Sequence, residues 1–178
     1  MIRLPLGQWV NDFVEWLLLY FGNAFDRFSA GFLKITDFIG DGLELLPWYI
    51  IIAIFALLCF KAKGWRLALG AVIGLTLIYN LNLWPAFLET LLLVIISTFI
   101  SLIIGIPLGI LGAKKDGFHK VLSPILDFMQ TMPSFVYLIP ALMFFSLGTV
   151  SAVFATVIFA MPPVIRLTNL GIRQVPKD

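Results

Sequence analysis

One stretch of the sequence places polar side chains and prolines inside an otherwise apolar run. It reads Asp127-Phe-Met-Gln-Thr-Met-Pro-Ser-Phe-Val-Tyr-Leu-Ile-Pro140. Polar groups at membrane depth are costly, so those that occur there usually serve a function. Prolines are tolerated there where the freed backbone groups find other partners or line a cavity. The stretch therefore predicts either a site where a substance is moved or gated, or a set of polar contacts that stabilises a helix bundle.

Three polar side chains of this stretch share one helical face, because Asp127, Gln130 and Thr131 are spaced by three and four residues. One interpretation makes them the polar lining or gate of a translocation path. The other places Asp127 in the first turn of its helix, where it stabilises the helix dipole. Tyr137 is a further candidate for the path, with ordinary packing as the alternative.

Pro133 and Pro140 are seven residues apart and so lie near one helical face. Each proline lacks an N–H group and leaves a carbonyl one turn back without its donor. The pair predicts a helix bent around a pathway, with a role in packing alone as the alternative. Pro107, Pro162 and Pro163 are further candidates for helix breaks or hinges.

No set of residues in the sequence has the spacing of a catalytic site. No serine, cysteine or carboxylate has a partner at such spacing, and no glycine-rich loop precedes a lysine to hold phosphate. Cys59 is the single cysteine and His119, which we place in an exposed loop, is the single histidine. These counts exclude a disulfide framework and a self-contained metal cluster. We therefore expect no enzyme activity, no metal and no cofactor in this chain.

The composition indicates an integral membrane protein. Of 178 residues, 61% are hydrophobic and 12% are charged, whereas about a quarter of a soluble domain is charged. Apolar runs predict an all-α protein with about five transmembrane helices, at 45–60, 67–81, 88–113, 123–147 and 149–165. The fourth span begins at Ser123-Pro124, a typical cap and first helical residue. Pro133 interrupts it, and Ser134 is placed to cap the restart.

Glycines predict close helix packing in two of these spans. They are Gly70 and Gly74 in the second span and Gly105, Gly109 and Gly112 in the third. Together with the proline of the third span, the last three glycines predict a kinked and closely packed half-helix.

Residues 1–44 differ from the rest because they are amphipathic and contain no run of the ~20 apolar residues that a spanning helix needs. We predict one or two helices lying at the membrane interface and anchored by aromatic side chains. A structural brace is the favoured role, and a docking or sensing element is the alternative. Residues 45–83 then form two peripheral transmembrane helices, and residues 84–178 form a third segment with three spans.

Basic residues are distributed unevenly between the connections. The connector at 61–66 has three basic residues and no acid, and the connector at 114–120 and the tail after Ile165 each have three basic residues and one acid. The residues before Leu45 include three basic and six acidic ones. Lysine and arginine accumulate on the cytoplasmic side of short loops. We therefore expect residues 1–44 and 82–88 outside, and the basic connectors and the tail in the cytoplasm.

Four motifs resemble the permease subunits of glycine betaine/proline ABC importers. They are the stretch from Asp127 to Pro140, Gly105-Ile-Pro-Leu-Gly109, Val157-Ile-Phe-Ala-Met-Pro-Pro163 and Arg166-Leu-Thr-Asn-Leu-Gly-Ile-Arg-Gln-Val175. The resemblance runs from about Trp84 to the C-terminus. It implies the type I importer permease fold, with residues 84–178 as the first part of its core. It also implies transport of compatible solutes such as glycine betaine or proline across the cell membrane, for osmoprotection.

The same resemblance implies several partners. They are a second permease copy, two cytoplasmic ATPases that hold ATP and Mg, membrane lipid and an extracellular receptor, either fused or separate; no nucleic acid is expected. Arg166, Arg173 and Gln174 lie where the family's chain leads into a cytoplasmic Glu-Ala-Ala coupling loop. Because that loop and at least two more spans follow in the family, we expect an incomplete chain that is truncated before the loop.

Two other functions remain open from the residues alone. In one, the chain is a non-transporting membrane scaffold or sensor, whose amphipathic region binds lipid or a partner. In the other, it is an ion-coupled carrier. Such carriers commonly have duplicated halves with paired broken helices, and the sequence contains one broken helix and no repeat, so the carrier fits less well.

Overall fold

The structure is a computed structural model that describes residues 6–175. These residues form seven α-helices and no strand, which confirms the all-α class. The helices are α1 (Leu6–Glu44), α2 (Trp48–Lys63), α3 (Trp65–Asn80), α4 (Trp84–Lys114), α5 (Asp116–Thr131), α6 (Phe135–Phe145) and α7 (Thr149–Arg173). Residues 1–5 of the predicted N-terminal region and residues 176–178 of the predicted tail lie outside the described range.

The chain divides into two compact units. One comprises Lys34–Leu93, which covers the end of α1, α2, α3 and the start of α4. The other comprises Met1–Leu33 and Val94–Asp178, and contains α5, α6 and α7 together with the remainders of α1 and α4.

Helices α2 and α3 form an antiparallel hairpin in the first unit. Gly64 makes the connection with φ of 85°, a conformation that glycine adopts without steric cost. Trp48 at the start of α2 stacks on Tyr79 near the end of α3, with ring centroids 4.5 Å apart. The two helices therefore lie alongside each other in opposite directions.

The helix lengths revise the prediction of about five transmembrane helices. Among the described helices, α4 and α7 are long and apolar enough to cross a membrane, and the number rises to four if α1–α2 and α5–α6 each form one broken span. Helices α2 and α3 lie where the two peripheral spans were predicted, but each has 16 residues. At 1.5 Å per residue each is about 24 Å long, which is less than the ~30 Å of a typical hydrocarbon core.

The N-terminal region is one helix rather than two. Helix α1 has 39 residues and continues through Gly22, because a single glycine inside a helix costs only about 1 kcal/mol relative to alanine. Its second half packs in part through rings: Phe25 lies 5.2 Å from Phe144 and 5.7 Å from Phe145, measured between centroids. Both partners are at the end of α6, so this part of α1 packs on α6 within the second unit.

Two predicted helix ends at prolines are wrong. Helix α5 begins at Asp116 and not at Ser123, so Pro124 lies inside it. The fifth span was predicted to end near Pro162 and Pro163, but α7 continues through both to Arg173. A proline removes one hydrogen bond from a helix, and contacts further along can hold the helix together despite this loss.

Helices α4 and α7 approach each other closely along a row of small residues of α4, namely Gly105, Gly109 and Gly112. A Cβ atom built on Gly109 would lie 2.6 Å from Thr168 Cβ and 2.8 Å from the Ile165 carbonyl oxygen. About two turns before Gly109, the buried Ser101 hydroxyl donates to the Val157 carbonyl at 3.4 Å. The prediction of close packing in this half-helix is therefore confirmed.

The glycines of α3 behave differently. A Cβ atom built on Gly70 or Gly74 would meet no heavy atom within 4 Å in the described part of the chain, apart from its own helix surroundings. The prediction that a neighbouring helix approaches there is wrong for these residues.

The glycine row yields a direct test. We expect Gly109→Ala to destabilise the protein by about 1–3 kcal/mol, because a Cβ atom at this position overpacks the α4–α7 contact. Gly70→Ala is the matched control: it should be neutral or stabilising by up to about 1 kcal/mol, because it gains helix propensity in open space. Unfolding in detergent, followed by circular dichroism, measures both, and equal effects of the two variants would contradict the packing.

Candidate functional site

The stretch singled out in the sequence is a helix broken at a sharp bend. Helices α5 and α6 meet at an angle of 95° across the break. Met132 has extended backbone angles, with φ of −79° and ψ of 136°, as expected for a residue that precedes a proline. Pro133 follows, and α6 begins at Phe135.

A side chain replaces the hydrogen bond that Pro133 removes. In a continuous helix the N–H of residue 133 would donate to the carbonyl of Met129, four residues back. Pro133 has no N–H, and the Tyr137 hydroxyl donates to the Met129 carbonyl instead, at 2.6 Å. Tyr137 therefore connects the first turn of α6 to the last turn of α5 and satisfies the backbone at the bend.

The other polar groups near the bend are used locally or exposed. The Thr131 hydroxyl donates to the Phe128 carbonyl at 2.8 Å, and Gln130 is exposed. Ser134 precedes α6 without a capping hydrogen bond from its side chain, so the predicted cap is wrong; its carbonyl instead accepts the Tyr137 N–H at 3.2 Å.

Asp127 pairs with a residue on α7. Its carboxylate accepts a hydrogen bond from the Arg166 guanidinium, and both side chains are partly exposed. Because α5 begins at Asp116, Asp127 lies about three turns into the helix. The alternative in which Asp127 stabilises a first helical turn is therefore wrong, since the dipole effect falls off within the first turn.

Arg166 is the first of three polar residues along one face of α7. Asn169 and Arg173 follow at spacings of three and four residues, so all three point toward one side. We call Arg166, Asn169 and Arg173 the polar row of α7. Each of them contacts a different part of the chain between residues 112 and 127.

The last two members of the row hold the region where α4 ends and α5 begins. The buried Asn169 amide nitrogen lies 3.2 Å from His119 Nδ1. The Arg173 guanidinium donates to the Gly112 carbonyl at 3.0 Å and to Asp116 Oδ1 at 2.7 Å. The predicted exposed loop around His119 is instead the first turn of α5, fixed against α7.

A cleft of about 320 Å³ lies between α5 and α7 beside these contacts. Its lining includes the whole polar row together with His119, Leu122, Ser123, Leu126, Ile165 and Leu170. The lining therefore combines apolar side chains with two guanidinium groups. A second space, about 330 Å³, lies beside the bend and includes Ser134, Leu138 and Thr156 in its lining.

Comparison with known proteins gives this arrangement a family. Residues 105–178 match the family model described as binding-protein-dependent transport system inner membrane component. This segment includes the bend, the polar row and the glycines of α4. This part of the chain is therefore similar to a family of transport permeases.

Individual relatives resemble this chain over nearly its whole length. It is 44% identical to the glycine betaine transport system permease protein OpuAB of Bacillus subtilis, over 99% of this chain and 62% of the relative. It is 45% identical to the glycine betaine/carnitine transport permease protein GbuB of Listeria monocytogenes, over 98% of this chain and 63% of the relative. Identity to the glycine betaine/proline betaine transport system permease protein ProW of Escherichia coli is 37%, over 98% of this chain and 49% of the relative. The chain thus spans about half to just under two thirds of the length of these relatives.

The structure brings some of the predicted site residues together and separates others. Asp127 and Arg166 meet, and Tyr137 closes the bend at Pro133, whereas Gln130 and Thr131 contact neither of them. Gln174 follows the end of α7, where its N–H donates to the Leu170 carbonyl at 3.0 Å.

The four other prolines that were candidates for helix breaks lie inside helices. Pro107 lies inside α4, Pro140 inside α6, and Pro162 and Pro163 inside α7. The predicted breaks at these four positions are corrected, and movement at them stays a prediction.

Sequence reasoning missed the contacts of Asn169, Gly112 and Asp116. The signal that could have found them is the spacing of Arg166, Asn169 and Arg173, which places three long polar side chains on one face of a helix that was thought to have ended.

The bend gives a test of the role of Tyr137 in the folded protein. We expect Tyr137→Phe to destabilise the protein by about 1–3 kcal/mol, because the Met129 carbonyl loses its donor. Pro133→Ala restores an N–H, so the same Tyr137→Phe change should cost markedly less in that background. Tyr49→Phe, on a 57% exposed ring, is the control. Equal costs of Tyr137→Phe in both backgrounds would show that the hydroxyl does not substitute for the missing N–H.

The Arg173–Asp116 contact predicts a dependence on pH. The hydrogen bond and charge of Arg173 lower the pKa of Asp116 from its ordinary value of 3.8. The contact therefore stabilises the folded protein fully above about pH 4, and this stabilisation is lost as pH falls through the lower folded-state pKa of Asp116. Melting temperatures of the parent and of Asp116→Asn should differ at neutral pH and converge in acid. In an Arg173→Gln background the difference at neutral pH should shrink to the smaller part contributed by His119, Lys120 and the helix dipole. An undiminished difference in that background would contradict the contact.

Proposed function

We propose that the chain is the permease subunit of an ABC importer for glycine betaine and related compatible solutes. The observation that carries this proposal is the identity of 44–45%, over 98–99% of the chain, to two permeases named for glycine betaine transport. The likeness extends beyond residues 105–178 into α1, α2 and α3. It therefore supports a common substrate class and not merely a common permease domain.

The geometry supports a gate made of a rigid and a movable part. The polar row holds α7 to α5 and to the end of α4, and the glycine row holds α4 closely against α7. These three helix segments form the rigid part. Helix α6 is joined to α5 through residues 132–134 and the Tyr137 hydroxyl, and its far end packs through Phe144 and Phe145 on rings of α1 and α7. In this proposal it is the movable part. A change of angle at residues 132–134 would rearrange the Tyr137 hydrogen bond and the ring contacts at the end of α6. Breaking a continuous helix would in addition disrupt several backbone hydrogen bonds.

In the proposed cycle the energy comes from outside the chain. Two cytoplasmic ATPases hold ATP and Mg and pull on the permease when they close. Arg166, Arg173 and Gln174 are at the end of α7 through which such a pull reaches α5. A receptor outside the cell, fused or separate, delivers the solute, and a second copy of the permease completes the path. This chain contributes no catalytic step.

The proposed orientation follows the charges. The connectors at 61–66 and 114–120 and the end of α7 face the cytoplasm, and residues 1–44 face the outside. In this orientation the polar row lies at the inner end of α7, and Asp127 lies closer to the cytoplasm than Pro140. The bend then lies on the inner side of the path, where a gate would control release.

A charge exchange tests whether Asp127 and Arg166 act as a pair in transport. We expect Arg166→Asp to lower uptake at least tenfold, because it places two carboxylates against each other. The double variant Asp127→Arg with Arg166→Asp restores opposite charges and should recover most of the uptake. A double variant no better than the single one would show that the residues act separately.

The proposal as a whole is tested by reconstitution. The protein encoded by the full gene is placed in vesicles with its ATPase and receptor, and uptake of labelled glycine betaine is measured with ATP or with a non-hydrolysable analogue. We expect uptake with ATP alone. Absence of ATP-dependent uptake of glycine betaine and of proline, in vesicles where ATP is hydrolysed, would contradict the proposal and leave a scaffold or sensor as the better account.

A further inference from the structure

The hairpin of α2 and α3 has membrane anchors at both ends. At one end Trp48 and Tyr49 begin α2, and Tyr79 lies in the last turn of α3. Trp84, at the start of α4, has its ring centroid 5.9 Å from that of Tyr79. Tryptophan and tyrosine concentrate at the boundary between lipid and water, so this aromatic cluster marks one boundary.

The opposite end is basic. Lys61 and Lys63 lie in the last turn of α2, and Arg66 follows Gly64 at the start of α3. The Arg66 guanidinium lies 5.8 Å from the centroid of the Trp65 ring. Residues 45–88 contain no aspartate or glutamate, so the hairpin itself offers these cations no acidic partner. Phosphate groups of anionic lipids are the complementary charge at a membrane surface.

The apolar body between the two ends is short. Trp48 and Lys61 are 13 positions apart, as are Arg66 and Tyr79, which corresponds to about 20 Å along a helix. A typical hydrocarbon core is ~30 Å thick. A short hydrophobic segment is accommodated by thinning of the bilayer around it and by basic side chains that extend toward the surface.

The sides of the hairpin are apolar and open. Leu57, Leu58, Ile73 and Leu77 are 55–60% exposed. A second copy packed on this face in parallel would bring the two basic ends together without any acid between them. Charge and anchoring therefore favour lipid as the occupant.

We propose that the α2–α3 hairpin is a lipid-binding element that prefers a thin bilayer and binds anionic phospholipids at its basic end. The proposal does not rest on the transport function, because it concerns only the match between this hairpin and the membrane. It assigns to the hairpin a property beyond anchoring, namely that the stability of this part of the protein follows bilayer thickness.

The test uses tryptophan fluorescence in vesicles. The chain carries Phe in place of Trp9 and Trp16, so that Trp48 and Trp65 report on the hairpin together with Trp84, which contacts Tyr79. It is reconstituted in phosphatidylcholines of increasing acyl-chain length, and quenching by brominated lipids gives the relative affinity for each lipid. We expect the affinity to be highest for the shorter chains and to fall severalfold toward the longest. Phosphatidylglycerol should bind severalfold more tightly than phosphatidylcholine of equal length.

Three variants separate the two parts of the proposal. Lys61→Leu with Lys63→Leu lengthens the apolar body, so it should move the optimum to longer lipids and weaken the preference for phosphatidylglycerol. Lys61→Gln with Lys63→Gln should weaken that preference and leave the optimum in place. Lys34→Leu, in α1, should change neither. Three results would overturn the proposal. They are an affinity that does not depend on acyl-chain length, an optimum that Lys61→Leu with Lys63→Leu does not move, and protection of Trp48 and Trp65 from quenching.

Discussion

The arrangement of the second unit depends on one backbone carbonyl, that of Met129, which lacks its usual helical donor. Pro133 removes the N–H that would bind the Met129 carbonyl, and an unsatisfied carbonyl in an apolar environment costs on the order of 1–3 kcal/mol. The chain meets this cost by turning through 95° and placing the Tyr137 hydroxyl on that carbonyl. The bend and this hydrogen bond depend on each other, because a straight helix would place the Tyr137 hydroxyl out of reach of the Met129 carbonyl. All contacts of α6 with its neighbours follow from the direction that this bend sets.

The polar row of α7 holds α5, the helix that leads into the bend, in place against α7. Arg166 binds Asp127 near the middle of α5, and Arg173 binds the end of α4 and the first turn of α5. Exposed ion pairs contribute little stability individually, about 0–1 kcal/mol. Their effect here is geometric: three contacts along one helix face fix the position of α5 relative to α7. The buried Asn169 amide contributes most to specificity, because Gly112 leaves room for it where a Cβ atom would lie 2.7 Å from its nitrogen.

The sequence was sufficient for the fold class, the break at Pro133 and the closely packed glycines of α4, because each follows from a local rule. The same rules failed at Pro124, Pro162 and Pro163, where a proline lies inside a helix. Local sequence cannot weigh the loss of one hydrogen bond against contacts between distant residues, such as Arg166 with Asp127, 39 positions apart, and Arg173 with Gly112, 61 positions apart. The sequence alone could have indicated the partner of Tyr137, because Pro133 lacks an N–H and so leaves the Met129 carbonyl, four residues back, without its helical donor. Whether the Tyr137 side chain only packs or makes a polar contact depends on the direction of α6, which the sequence does not give.

The central claim is that residues 132–134 form a sharp bend in the folded protein, and a distance across it tests that claim most directly. Spin labels at Val121→Cys and Met143→Cys, with Cys59 replaced by alanine, place one exposed label on α5 and one on α6. From helix lengths at 1.5 Å per residue, we predict a backbone separation of about 20 Å for the bent arrangement. Pulsed electron resonance on the reconstituted protein should give a main distance population near this value. A main population above roughly 30 Å, the separation in a straight helix, would contradict the account.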